Sequence, residues 1–382
     1  MTFYNTQHEL YCGIDLHARR MYTCVIDAGG KTVFHKNLHT NPQDLSDALA
    51  PFRDRDIVLA VEATFNWYWL ADACDEMNIP FILGHAFAMK AIHGGKTKND
   101  KQDSLKIAQL LRGGNLPVAW AYPKKMRSQR DLCRRRCYFT RQRAELQAHV
   151  RNTCMQYNVT CPSGQLRYAT NQEGLAETFP TQASQLTIET DIAMINSLTT
   201  QITRLEKTLV QMAQFDDPGM FYRLKAVPGI GDILALVILY EIGDLKRFRR
   251  AGDFLSYARL VPGQHSSAGK NYGSPCRKQG NPQLKWAFSE AVALLLRDSS
   301  PTKSAFAKLE KRHGRGKALS ILAARLGRAI YLVLKRGDIF NEHEFLRLPG
   351  DSEPNNFSAK PRRRRKTTTQ NPLSLTQQQE TH

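Results

Sequence analysis

Four carboxylates stand out by their surroundings. Asp15 closes the apolar run "LYCGIDL", Glu62 closes "RDIVLAVE", and Asp100 and Asp103 open the helical pattern "KTKNDKQDSLKIAQLL" among lysines. Asp100 and Asp103 are one helical turn apart and share a face. Singly, such residues are ordinary, because an acid at a helix start offsets the positive end of the helix dipole and a strand-end acid is simply solvated. Gathered in one cleft, four carboxylates repel one another unless cations neutralise them. Hard oxygen donors of this kind suit Mg²⁺, with Mn²⁺ as a substitute. Two such ions about 4 Å apart can clamp the attacking and leaving oxygens of a phosphodiester.

A second candidate is a hydroxyl. The segment "ARLVPGQHSSAGKNYGSPCRKQGNPQLKWAF" is rich in Gly, Ser and Pro, with Lys270, Arg277, Lys278 and Lys285 interleaved. Ser266 and Ser267 are either plain loop residues or a nucleophile, since a serine beside basic residues can attack a phosphate and hold it covalently. No Gly-x-Ser-x-Gly elbow is present, so hydrolase chemistry has no support. His265 is the nearest proton acceptor in sequence, and Ser274 has no assigned role. Upstream, Pro228-Gly229-Ile230-Gly231 separates two helical patterns. Gly229 and Gly231 either make a simple connector or leave amides free at a helix N-terminus, a seat for a phosphate.

These groups need elements to position them. Residues 10–85 read as α/β: "LYCGIDL", "MYTCVIDA" and "KTVFHKNL" are strand-like, "NPQDLSDALAPF" is a capped helix, and "RDIVLAVEA" and "IPFILG" flank the helix "WYWLADACDEM". Hairpin strands followed by strand–helix–strand is the order of an RNase H-like fold. From Met126 to Asn158 the pattern is helical and basic, with Arg134, Arg135, Arg136 and Arg141 as candidate nucleic-acid contacts. A second long helix is predicted over Gln182–Phe215, where Ile188, Ile192, Ile195, Thr199, Ile202, Leu205, Leu209 and Met212 alternate four and three apart, a coiled-coil seam. The stretch between them reads as looser, so the pair is expected to form an antiparallel hairpin or a dimerising arm. Four regions result: an α/β metal-binding domain at 8–125, the basic helix and coiled coil at 126–215, a mostly helical domain at 216–347, and a polar, basic tail at 348–382 expected to be disordered.

Lys+Arg 54 against Asp+Glu 35 gives a net charge of +19 and a pI near 9.7. That sign and size suggest a polyanionic partner. The apolar run Ile233–Leu239 is far short of the roughly 20 residues a membrane span needs, and the start shows no basic and apolar export signal. The expected location is therefore the cytoplasm. Among eight cysteines there is no CxxC pair and no zinc-finger spacing, so reduced structural thiols are expected.

In combination, GID at Asp15, VEAT at Glu62, KTKNDKQDS at Asp100 and Asp103, VPGIG at 227–231 and LVPGQHSSAGK at 260–270 resemble the DEDD-type insertion-sequence transposases, the IS-one-ten family, and the related pilin-gene DNA invertases. "KQGNPQLKWAF" (278–288) and "GRGKALSILAARLGRAIYLVLKRG" (314–337) extend the resemblance over roughly residues 10–340. It implies a RuvC-like (RNase H-fold) domain, a coiled coil, and a helical transposase domain with a helix-hairpin-helix. It also implies a metal tetrad of Asp15, Glu62, Asp100 and Asp103, and Ser267 as the nucleophile that joins covalently to DNA. The implied partners are donor and target DNA and a structured non-coding bridge RNA, on dimers that assemble to a tetramer at the nucleoid. After Ser267, at 271–280, the chain reads "NYGSPCRKQG" where family members more often carry a Gly-x-Ile-Ser/Thr-Lys pattern. An invertase without a guide RNA, a RuvC-like metal nuclease using water, and a non-enzymatic nucleic-acid scaffold are the competing readings.

Overall fold

The computed structural model describes residues 2–92, 99–262, 266–268, 270–271 and 279–347, with backbone alone for 266, 267 and 271. A short strand, β1 (Phe3–Tyr4), precedes a meander of β2 (Leu10–Leu16), β3 (Arg20–Asp27) and β4 (Thr32–His39). Helix α1 (Pro42–Leu49) starts where Asn41 accepts a hydrogen bond from the Asp44 amide and proline fills the first turn. β5 (Ile57–Glu62), α2 (Tyr68–Glu76) and β6 (Phe81–Gly84) follow, then α3 (Ala86–Ile92), α4 (Asp100–Arg112) and β7 (Leu116–Pro117), which pairs with β1. The main sheet has five strands in the order β4-β3-β2-β5-β6. β2–β5 and β5–β6 are parallel and the other pairs antiparallel.

Side chains alternate across a strand, and here the two faces have separate cores. Leu10, Cys12, Ile14, Leu59 and Val61 pack with α1 and α2. Tyr11, Val58 and Ala60 pack on the other face with Ile107, Ala108 and Leu111 of α4.

The second half is helical. α5 (Lys124–Gln156) and α6 (Gln182–Asp216) run antiparallel, since Arg136 meets Glu206, Arg143 meets Thr199 and His149 meets Asp191. Ile188, Ile195, Ile202 and Leu209 are buried at seven-residue spacing. The expected seam needs one correction. Met212 is 37% exposed while Ala213 is fully buried, and Glu206, not Leu205, continues the four-three alternation. A charged residue can hold that seam position because Arg136 faces it. The connection between the helices is also less loose than its composition suggests: Leu166, Leu175 and Phe179 are buried against Val150, Cys154 and Ile188.

α7 (Pro218–Lys225) leads to α8 (Asp232–Ile242), which is buried from Leu234 to Ile242 and forms the centre of the C-terminal half. Around it lie α9 (Ala251–Tyr257), the strand pair β8 (Ser266–Ser267) and β9 (Lys270–Asn271), α10 (Pro282–Asp298), α11 (Ser300–His313), α12 (Arg315–Arg336) and α13 (Glu342–Leu346). Phe254, Phe288 and Tyr331 fill the space between α9, α10 and α12. Among the described residues no helix is long and apolar enough to cross a membrane. The tail at 348–382 lies outside the described residues.

Candidate active site

Strand alternation decides where the carboxylates go. Asp15 follows Tyr11 and Gly13 on the α4 face of β2, and Glu62 follows Val58 and Ala60 on the same face of β5. The parallel register Ile14↔Val61 brings the two strand ends side by side. Asp100 and Asp103 lie in the first turn of α4, which is capped by the Asn99 side chain. α4 reaches the sheet because residue 13 is glycine: a Cβ there would stand 2.3 Å from the Ser104 carbonyl oxygen and 2.4 Å from the Ala108 nitrogen.

The structure thus brings Asp15 and Asp100 together, with His17 between them. His17 Nε2 lies 3.3 Å from an Asp15 oxygen and 3.6 Å from an Asp100 oxygen. One donor atom from each of the three residues falls within 4.8 Å of the others. Asp103 is bridged to Lys106 at 2.9 Å, and Glu62 shares the face without joining that group of three. His17 escaped the sequence analysis. Its signal was its position two residues after Asp15, a spacing that keeps both on one side of an extended chain.

The Asp15 carboxyl is raised above the ordinary aspartate range, first by burial and then by the charges of Asp100 and Asp103, with His17 opposing. Acidic oxygens that crowd one another at a half-buried edge fit a divalent cation, and the imidazole is a further ligand acceptable to Mn²⁺ and its neighbours in the transition series. Asp15, His17 and Asp100 are the residues whose donor atoms come together there, with Glu62 and Asp103 at the same edge.

The candidate nucleic-acid residues divide. Arg134 is committed inward, its Nε 2.6 Å from Glu241, which is only 2% exposed and also takes Arg130 and the Asn281 amide. Burial alone would raise the Glu241 carboxyl, but Arg134, Arg130 and Asn281 outweigh it and hold the group below the usual glutamate range. Arg136 is likewise paired with Glu206. Arg135 and Arg141 remain exposed, Arg135 lying over the rings of Tyr138 and Phe139. The sequence signal for Glu241 was a lone acid inside the apolar run of α8, which demands a cation from elsewhere.

Gly229 has φ +81, and a Cβ there would come within 2.7 Å of the Ala291 carbonyl, so packing against α10 accounts for it. Gly231, at the N-cap of α8, has open space around its Cβ position. Ser267 pairs by its backbone with Lys270, which is exposed; the Ser267 side chain, His265, Ser274, Arg277 and Lys278 lie outside the described residues. The end of that segment is firmly held. The Asn281 amide bonds the Tyr257 carbonyl at 2.6 Å, and Gly280, at φ +95, fits where a Cβ would strike the same carbonyl.

Comparison with known proteins agrees with this architecture. Residues 12–159 match a transposase model of the DEDD, IS110 type, and residues 222–307 match the Transposase IS116/IS110/IS902 family. The transposase for insertion sequence element IS1111A of Coxiella burnetii is 24% identical over 339 residues, covering 86% of this chain and 90% of the relative. The transposase for insertion sequence element IS1328 of Yersinia enterocolitica is 26% identical over 37% of this chain and 43% of its own. The Streptomyces coelicolor insertion element IS110 43.6 kDa protein is 30% identical over 31% of this chain and 29% of its own. The chain belongs to the IS110 family of DEDD transposases, and is an enzyme acting on DNA. Membership of that family suggests use of a divalent metal, and an Asp15–His17–Asp100 cluster is present at the acidic edge.

Proposed function

We propose that this transposase cuts and rejoins the DNA strands of an insertion sequence through a covalent phosphoserine at Ser267. In this reading the 8–125 domain has the RuvC-like fold, and Asp15, Glu62, Asp100 and Asp103 hold Mg²⁺, with Mn²⁺ as a substitute. The ion would supply Lewis-acid polarisation of a scissile phosphate and neutralise developing charge. Ser267 Oγ bonds to phosphorus, one P–O ester bond breaks, and the released sugar oxygen takes up a proton. The phosphodiester energy stays in the serine ester, so the reverse attack by a new sugar hydroxyl rejoins strands without a nucleotide cofactor.

Donor and target DNA are the substrates, and a bridge RNA selects them. The α5–α6 hairpin acts as a coiled-coil arm by which dimers assemble to a tetramer, in the cytoplasm at the nucleoid. The turn before α8 acts as a helix-hairpin-helix, with the Gly231 amide facing a phosphate. Arg135 and Arg141, with Lys270, Arg277 and Lys278, contact nucleic acid.

The observation that carries this reading is the convergence of Asp15 and Asp100, 85 positions apart in sequence, on the edge that Glu62 shares. The test is Ser267→Ala. Recombination between donor and target plasmids should vanish while DNA binding persists, and the covalent protein–DNA species trapped with wild type should be missing. Normal strand exchange by the variant would end the proposal; cleavage with no covalent species in wild type would leave a metal nuclease.

A further inference from the structure

A cleft of about 1270 Å³ opens between α9, α12 and α13. α12 supplies much of the lining, and among its residues Lys317, Ile321, Arg328, Leu332 and Arg336 lie four residues or one heptad apart. Basic and apolar side chains therefore share one helix face. Arg259, just after α9, and Lys285, in α10, add to the lining. Among the described residues, seven lysines and arginines line the cleft against three carboxylates. Among the described residues, Lys285, Lys317, Arg328 and Arg336 have no ion-pair partner within the chain.

Arg259 adds two independent signs of use. Its φ is +56, a left-handed backbone that an arginine rarely adopts and that costs of order 1 kcal/mol, tolerated where the surroundings demand it. Its Nε is buried with no hydrogen-bond partner among the described residues, so an acceptor oxygen entering the cleft would satisfy it.

We infer that this cleft binds a short run of unpaired nucleotides. At the helical rise of about 1.5 Å per residue, Lys317 and Arg328 are roughly 16 Å apart, and Arg328 and Arg336 roughly 12 Å. That spread suits a succession of phosphates, not one. The apolar members between them, joined by Ile339 at 87% exposure and Phe340, offer faces against which bases can lie. The volume is only somewhat larger than that of a drug-sized ligand site, about 300–1,000 Å³, so it suits a few nucleotides. The cleft also reaches Val261, Pro262 and Gln279, which flank the serine segment, and His85, which follows β6 at the sheet edge. The inference rests on the proposed function only in taking the polyanion to be nucleic acid.

The test is binding of fluorescein-labelled (dT)8 to the full chain across a salt series, with 4-thiothymidine in the same oligonucleotide for photocrosslinking. Crosslinks should fall in peptides from α12. Each single-strand phosphate contact contributes about 0.7 to the slope of log affinity against log salt, so the triple variant Lys317→Ala/Arg328→Ala/Arg336→Ala should lower the slope by about 2. Affinity should drop at least tenfold while the thermal melt is retained. An unchanged slope in the folded triple variant would overturn the inference, as would crosslinks confined to α5. Displacement of the α12 crosslink by poly-glutamate as readily as by unlabelled (dT)8 would also overturn it, in favour of an acidic protein partner. Ser267→Ala should still crosslink on α12, so failure of the phosphoserine reading leaves this result standing.

Discussion

Replacing Gly13 with alanine should damage metal binding from a position that touches no metal ligand. The added Cβ would meet the Ser104 carbonyl oxygen at 2.3 Å and the Ala108 nitrogen at 2.4 Å. Both are backbone atoms of α4, so no rotamer change relieves the clash. Ordinary heavy-atom contacts lie near 3.5 Å, so α4 must retreat from β2 by about 1 Å. Overpacking of that kind costs roughly 1–3 kcal/mol. The larger effect is on geometry, because α4 carries Asp100 and Asp103 while Asp15 and His17 stay with the sheet. The His17–Asp100 separation of 3.6 Å would open with the helix, and a 1 Å misplacement in a catalytic constellation costs on the order of 10²-fold in rate. Gly13→Ala should therefore fold, unfold in urea with about 2 kcal/mol less stability, show a much smaller thermal shift with Mn²⁺, and lose strand exchange. Wild-type stability together with wild-type Mn²⁺ response would refute the argument that this close approach positions the site.

Asp15→Asn should raise the melting temperature at pH 7 without divalent ions and abolish the further rise that Mn²⁺ gives wild type. The raised Asp15 carboxyl favours the fold while protonated and loses that contribution as pH climbs through its folded pKa, so the ionised group opposes folding until a cation offsets it. Glu241→Ala strands Arg130 and Arg134 and should cost about 3 kcal/mol in urea unfolding at neutral pH. Because the Glu241 carboxyl is held low, its contribution is present above the ordinary glutamate range and lost as pH falls through the folded value, so the variant's acid limb should be flatter than wild type's. Arg135→Ala/Arg141→Ala should leave stability intact and lower the salt slope for duplex DNA by about 2, whereas Arg134→Ala should destabilise the fold; equal stability of the two variants would contradict the division of the arginine run.

Most elements of the α/β half could be read from the chain, because their apolar runs, caps and turn glycines are local signals. The shared face of Asp15 and Glu62 was readable too, since alternation from Tyr11 and from Val58 fixes their side of the sheet. What escaped depends on partners distant in sequence. His17 acquires meaning only when Asp100 arrives across from it. Glu206 breaks an apolar seam pattern, and only Arg136 on the antiparallel helix makes it a proper member. Gly229 read as a phosphate-facing turn residue, yet the atoms that forbid a side chain there belong to α10, about sixty residues later.

The same dependence governs how net charge should be used. A charge of +19 points to polyanions, but the densest basic run does not all face outward. Arg130 and Arg134 neutralise a carboxylate at the centre of the helical half, and Asn281, which follows the serine segment, shares that carboxylate. Tyr122 joins the same node from the α/β half through its hydroxyl, bonded to the Glu241 carbonyl at 2.8 Å and to the Tyr257 hydroxyl at 3.0 Å. Arg130 stacks on the Tyr122 ring at 3.7 Å. Part of the basic helix is therefore a structural tie between the half that carries the carboxylates and the segment that carries the serine. In the readings proposed above, nucleic acid is met instead by Arg135 and Arg141, by Lys270, Arg277 and Lys278, and by the basic residues of α12.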